Sequence, residues 1–222
     1  MYIISISFSS VTSFPYTQLF FFFFCLQPLF YQLYVNTDRA ITARLVHQAE
    51  RGGCRALFLT VDAPQLGRRE KDLRRKFTLA GTAVQSKDDK KGKVDRNQGI
   101  ARAISQFIDP SLNWSDIAWL RSITSMPIIL KGVQRGEDAV LAAKHGLAGV
   151  VCSNHGGRQL DFARSGIEVL GEVMTALRAE GLQDKLEVFF ECICFDFLSS
   201  HAYVFLSIRE IVNECLRVYL AI

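Results

Sequence analysis

Five short apolar runs, each closed by a polar residue or a turn, constrain this chain more than any other feature. They are Tyr31–Val35, Ala56–Asp62, Pro127–Gly132, Ala148–Cys152 and Leu186–Phe189, and stretches with helical spacing follow them. Ala56–Asp62 is almost continuously apolar, as expected of a strand covered on both faces. Thr37-Asp38 opens an amphipathic helix through Ala49, with Ile41, Leu45, Val46 and Ala49 on one face and Gly52-Gly53 as its stop. Further helices are predicted over Gln98–Phe107, Ser115–Ile123 and Gly136–His145, the last with Glu137 and Asp138 in its first turn. Gly166–Glu180 places Ile167, Leu170, Val173, Met174 and Leu177 on one stripe and ends at Gly181. This alternation predicts an α/β fold whose parallel sheet is wound with right-handed crossovers, either as a barrel or as an open doubly wound sheet. No G-x-G-x-x-G follows the first run, which argues against a dinucleotide site.

Composition narrows the function classes. A chain of 222 residues that is 49% hydrophobic can bury a full core and fits one α/β domain. The net charge of +4 comes largely from Arg68 to Lys93, within the long aperiodic excursion Gln65 to Asn97. Glu70, Asp72, Asp88 and Asp89 dilute those cations, and Phe77 is the only aromatic among them, so a solvated loop is expected and nucleic-acid binding is not. The six cysteines form no C-x-x-C pair, so neither a metal centre nor a disulfide framework is expected.

The two ends differ from the middle. No charged residue occurs from Met1 to Thr37, and Phe20 to Phe24 is an unbroken phenylalanine run. A signal peptide would need a basic start, and a membrane span would need about 20 continuous apolar residues. Ser7, Ser9, Ser10, Pro15, Gln27 and Pro28 interrupt this segment, so no span is expected. Phe, Ser, Leu and Pro have pyrimidine-rich codons, and the segment reads like a translated intron. The scattered aromatics after Phe189 read similarly. The expected organisation is therefore an atypical apolar segment over 1–30, a regular α/β body over 31–189 and an atypical segment over 190–222.

Chemistry gathers where the runs end. The first presents Gln32 and Tyr34, the second Thr60 and Asp62, the third Lys131, and the fourth Ser153, His155 and Arg158. His155 and Arg158 share the turn Ser153-Asn154-His155-Gly156-Gly157-Arg158-Gln159-Leu160-Asp161, whose glycines let backbone approach a ligand closely. Taken singly, each residue has an ordinary explanation: Asp62 as a turn cap, Lys131 as a strand-end charge, Tyr34 and Thr60 as parts of a strand. Together, four successive strand ends with matching chemistry favour a site at the C-terminal rim of the sheet. A base beside an anion clamp points to chemistry on a small carboxylate.

Several blocks carry a resemblance: Gln32-Leu33-Tyr34-Val35-Asn36, Thr60-Val61-Asp62-Ala63-Pro64, Leu66-Gly67 through Arg69-Glu70-Lys71-Asp72, Phe107 to Leu112, Ile129 to Val133, and Ser153 to Asp161. In this order they resemble the FMN-dependent α-hydroxyacid dehydrogenase and oxidase family over about Tyr31 to Phe189. The long Pro64 to Gln98 excursion is most similar to the L-lactate dehydrogenases that pass electrons to cytochrome c, with glycolate-type oxidases as the alternative. The resemblance implies part of a (βα)8 TIM barrel, about its second half, that oxidises a 2-hydroxy acid with FMN. By the same resemblance His155 is the catalytic base, Asp62 orients it, Arg158 holds the substrate carboxylate and Tyr34 hydrogen-bonds the substrate. Lys131 faces the flavin's pyrimidine end, Gln32 and Thr60 bond ring heteroatoms, Arg69 borders the entrance, and Ser153 and Gly156 shape the wall.

The family further implies a homo-oligomer, cytochrome c as a possible acceptor, and a mitochondrial or otherwise cytoplasmic location. Haem is not expected, because His47, His145, His155 and His201 lack the spacing of a paired-histidine haem domain. After Phe189 the family continues with an Asp-Gly-Gly turn and later a Gly-Arg pair that grip the FMN phosphate. Here Phe190-Glu191-Cys192-Ile193-Cys194 stands instead, and nothing before Tyr31 matches the family's early strands. Weak flavin binding and weak or absent activity are therefore expected. A non-catalytic fragment that associates through an open sheet is the competing reading.

Overall fold

A computed structural model describes residues 3–5, 29–65, 67, 107–196 and 199–207. Arg69, most of the charged excursion, the phenylalanine run and nearly all of the helix expected at Gln98–Phe107 lie outside the described residues.

The described strands form one sheet in sequential order: β1 (Ile3–Ser5), β2 (Leu29–Leu33), β3 (Ala56–Thr60), β4 (Ile128–Val133), β5 (Gly149–Cys152), β6 (Glu187–Asp196) and β7 (Ser199–Ser207). Strands β2 to β6 pair in parallel. At the two ends β1 and β7 run antiparallel to their neighbours. The strand expected at Leu186–Phe189 thus runs on to Asp196 and folds back into a hairpin. Phe, Ile, Val and Tyr favour extended backbone, but the segment lacks the apolar–polar alternation that would have marked it as a strand in the sequence.

Helices α1 (Arg39–Arg51), α2 (Asp116–Ile123), α3 (Gly136–Lys144) and α4 (Gly166–Ala179) connect the parallel strands. Local chemistry sets their ends. The Asp38 side chain accepts from the Ala40 N–H at 2.9 Å, capping α1. At α4, Ser165 and Glu168 form a capping box, each side chain bonding the other residue's backbone N–H. Ile167, expected on the apolar stripe of α4, is 58% exposed. The buried line runs instead through Gly166, Val169, Val173 and Leu177. Gly166 has no alternative there, because a Cβ would stand 2.4 Å from the Cys152 carbonyl oxygen.

Burial separates the two faces of the sheet. Val46, Leu120, Ala139, Ala142, Val173 and Leu177 from the four helices pack with Leu33, Leu57, Leu59, Leu130, Val150 and Val188 in one core. Burying each large aliphatic side chain contributes about 1.5–3 kcal/mol. On the opposite face Ala56, Phe58, Ile129 and Val151 form a smaller cluster with Phe30 and Phe189 against it. Side chains alternate along a strand, so continuing that second face toward the strand C-termini leads to Gln32, Thr60, Lys131 and Glu191. The smaller cluster is the floor beneath the candidate site.

Candidate active site

The site is built where β3, β4 and β5 end. Thr60 pairs in register with Lys131, which pairs with Val151. Past Lys131 the register shifts, and Gly132 takes φ +108 within the irregularity. A Cβ on Gly132 would stand 2.5 Å from Cβ and Cγ of Asp62, so only glycine leaves room for that side chain. Asp62 Oδ1 then lies 2.9 Å from Nδ1 of His155. The Asp62 and His155 side chains are 10% and 15% exposed. A carboxylate only accepts, so in the neutral ring the hydrogen sits on Nδ1 and the lone pair on Nε2.

The His155 turn is conformationally costly and therefore bolted down. His155, Gly156 and Gly157 have φ of 61, 66 and 68° in succession. The Asn154 carboxamide accepts from the Gly157 N–H at 3.0 Å, and the His155 N–H donates to Ser153 Oγ at 2.9 Å. Such bonds hold a left-handed histidine in place. Gln134 adds a bond from Nε2 to the Ser153 carbonyl at 2.9 Å.

The remaining expected residues fall into two groups. Gln32 Nε2 donates to Tyr34 Oη at 3.0 Å and to Thr60 Oγ1 at 3.1 Å, and the Tyr34 ring stands 6.4 Å, edge-on, from the His155 ring. Lys131, 3% exposed, donates to Ser153 Oγ at 3.3 Å and lies 3.9 Å from Asp62 Oδ2. Gly156 forms the turn itself, and Arg158 is exposed on the same loop. Beside Ser153, burial pushes the Cys152 thiol up to about 12, which leaves it protonated and inert as a nucleophile.

Two further side chains at the candidate site escaped the sequence reading. Gln159 stitches the turn to the loop after β3: its Nε2 donates to the carbonyls of Asp62 at 3.2 Å and Gln65 at 2.7 Å, while Oε1 accepts from the Gly67 N–H at 3.0 Å. It sits inside the Ser153–Asp161 motif, and its carboxamide serves as donor and acceptor at once. Glu191 lies 3.0 Å from Lys131 Nζ and accepts from the Ser153 hydroxyl. The sequence around it gave no signal for the direction of its side chain.

The chain is similar to known proteins in sequence and in fold. The chain matches the family model described as FMN-dependent dehydrogenase over residues 6–192. It belongs to the FMN-dependent dehydrogenase family. An L-lactate dehydrogenase (cytochrome) from Wickerhamomyces anomalus is 58% identical over 163 residues, 73% of this chain and 28% of that protein. Spinach (Spinacia oleracea) glycolate oxidase is 45% identical over 166 residues, 73% of this chain and 44% of that protein. Among solved structures, the flavin-binding domain of baker's yeast flavocytochrome b2 is similar with a TM-score of 0.59 and 52% identity, covering 72% of this chain and 36% of that one. The chain thus spans less than half the length of these FMN-dependent dehydrogenase relatives. Among its described residues no helix is long and apolar enough to cross a membrane.

Proposed function

We propose that this chain is an arc of a (βα)8 barrel, bounded at about 31–189 between atypical segments 1–30 and 190–222. Its chemistry is the oxidation of an L-2-hydroxy acid to the 2-oxo acid with FMN as electron acceptor. The observation that carries the proposal is the 2.9 Å His155–Asp62 pair on the same rim as Lys131, Thr60 and Gln32. Sequential strand order with all four described helices in one core supports barrel-type winding over a doubly wound sheet, which would place helices on both faces. L-Lactate is favoured over glycolate by the higher identity to the lactate dehydrogenase, 58% against 45%. Cytochrome c as final acceptor and a homo-oligomeric assembly belong to the same reading.

His155 Nε2 takes up a proton as the substrate's C2 is oxidised, and Asp62 fixes the ring and stabilises the imidazolium that results. Arg158 clamps the substrate carboxylate and Tyr34 hydrogen-bonds the substrate. Gln32, Thr60 and Lys131 supply an amide, a hydroxyl and an ammonium on one rim, a set that fits the heteroatom edge of a flavin, with Ser153 and Gly156 as wall. FMN, when bound, supplies the ring that accepts the electron pair leaving C2, and a fixed cation favours its anionic reduced form. The phosphate end fits less well. Where the family turns through Asp-Gly-Gly, β6 continues as paired strand to Asp196, so weak retention of FMN is expected.

The test is anaerobic addition of L-lactate to the purified full chain in excess FMN. Bleaching of the flavin band, slower with glycolate and lost in His155→Gln, is expected; a folded wild-type chain that bleaches with neither substrate would overturn the reading. FMN that co-purifies at one equivalent would overturn weak retention.

One observation favours a second reading, a non-catalytic fragment that associates through its sheet. The nine-residue β7 stands at the end of the strand order.

A further inference from the structure

Lys131 has a partner that the proposed chemistry does not use. The Glu191 carboxylate, its side chain 5% exposed, lies 3.0 Å from the Lys131 ammonium. The Ser153 hydroxyl donates to the same oxygen, Oε2. The ammonium is thus surrounded by Glu191, by Ser153 Oγ at 3.3 Å and by Asp62 Oδ2 at 3.9 Å. Two carboxylates and one ammonium make this part of the rim negative before any ligand arrives.

We propose that Glu191 is an internal counter-anion that competes with the pyrimidine edge of a flavin for Lys131 and so lowers the affinity of this chain for the ring. The inference rests on the reading of Lys131 as the flavin-facing cation. A ring oxygen or nitrogen gains from a lysine only the attraction that a nearer charge has not already taken. Two of the three ammonium N–H groups are already given to Glu191 and Ser153, so a ring atom meets a cation largely neutralised by its neighbour, and drawing it closer weakens the pairing of a buried carboxylate, which buried charges tolerate poorly. Replacing Glu191 by Gln keeps the shape and the bonds to Ser153 and Lys131 but releases the positive charge.

The experiment titrates the full chain with riboflavin and with FMN, following quenching of flavin fluorescence, for wild type, Glu191→Gln, Lys131→Met and the double variant. Riboflavin isolates the ring from the phosphate. Glu191→Gln is expected to bind riboflavin about tenfold tighter than wild type, and the gain should vanish on the Lys131→Met background. Equal or weaker binding by Glu191→Gln with unchanged circular dichroism, or an equal gain without Lys131, overturns the inference while leaving the flavin site standing. Absence of quenching in every folded variant overturns both. If Glu191→Gln does not fold, Glu191→Asp, which draws the carboxylate back by one methylene, must still bind more tightly than wild type, and failure to do so overturns the inference.

Discussion

At Gly132 the backbone conformation and the neighbouring side chain make one requirement together. Its φ of +108 disfavours any L side chain, and the space a Cβ would need holds Asp62. Gly132→Ala should therefore cost about 1–3 kcal/mol in backbone strain alone and push Asp62 off His155. Thermal denaturation should show the lower midpoint, and an unchanged one would mean that the strand end relaxes freely. The sequence revealed Asp62, Lys131, Ser153 and His155 because a polar residue at the end of an apolar run has few structural reasons to be there. It did not reveal Gly132 as the space-maker, since a glycine says nothing about which side chain needs its room. Glu191 was hidden differently: Phe190 and Cys192 flank it, and an isolated carboxylate in a segment without alternation gives no direction for its side chain.

The helices were legible because their ends carry chemistry. Asp38 and the glycines at 52–53 and 181 mark termini to within one or two residues of the observed bounds. The capping box of α4 gives a direct check. Ser165→Ala removes the acceptor for the Glu168 N–H and should lower stability by about 1 kcal/mol, seen as a small fall in the unfolding midpoint. No change would mean that water replaces the serine without loss. Strands were placed well only where helices bracketed them. The β6–β7 hairpin has no helix between its strands, and its sequence lacks apolar–polar alternation, so periodicity had nothing to report.

At the scale of the whole molecule, the parallel pairing of the middle strands followed from the alternation of runs, whereas the antiparallel ends did not, because pairing direction at a sheet edge depends on what the rest of the chain leaves uncovered. The segment Ser199–Ser207 contains no Asp, Glu, Lys or Arg, so β7 lacks the charges that usually discourage edge-to-edge pairing. Light scattering should find the mean mass rising with concentration, and Val204→Lys should suppress that rise; a constant monomer mass would remove the basis of the second functional reading. The stitching by Gln159 has a consequence for how the protein comes to exist. The bonds that join Asp62, Gln65 and Gly67 to the His155 turn span between 91 and 97 positions of chain. Closing such loops is unfavourable until β3, β4 and β5 are already side by side. The rim that carries Asp62 and His155 is thus expected to form late in folding, and the same bonds place it among the first regions to open when the sheet loosens.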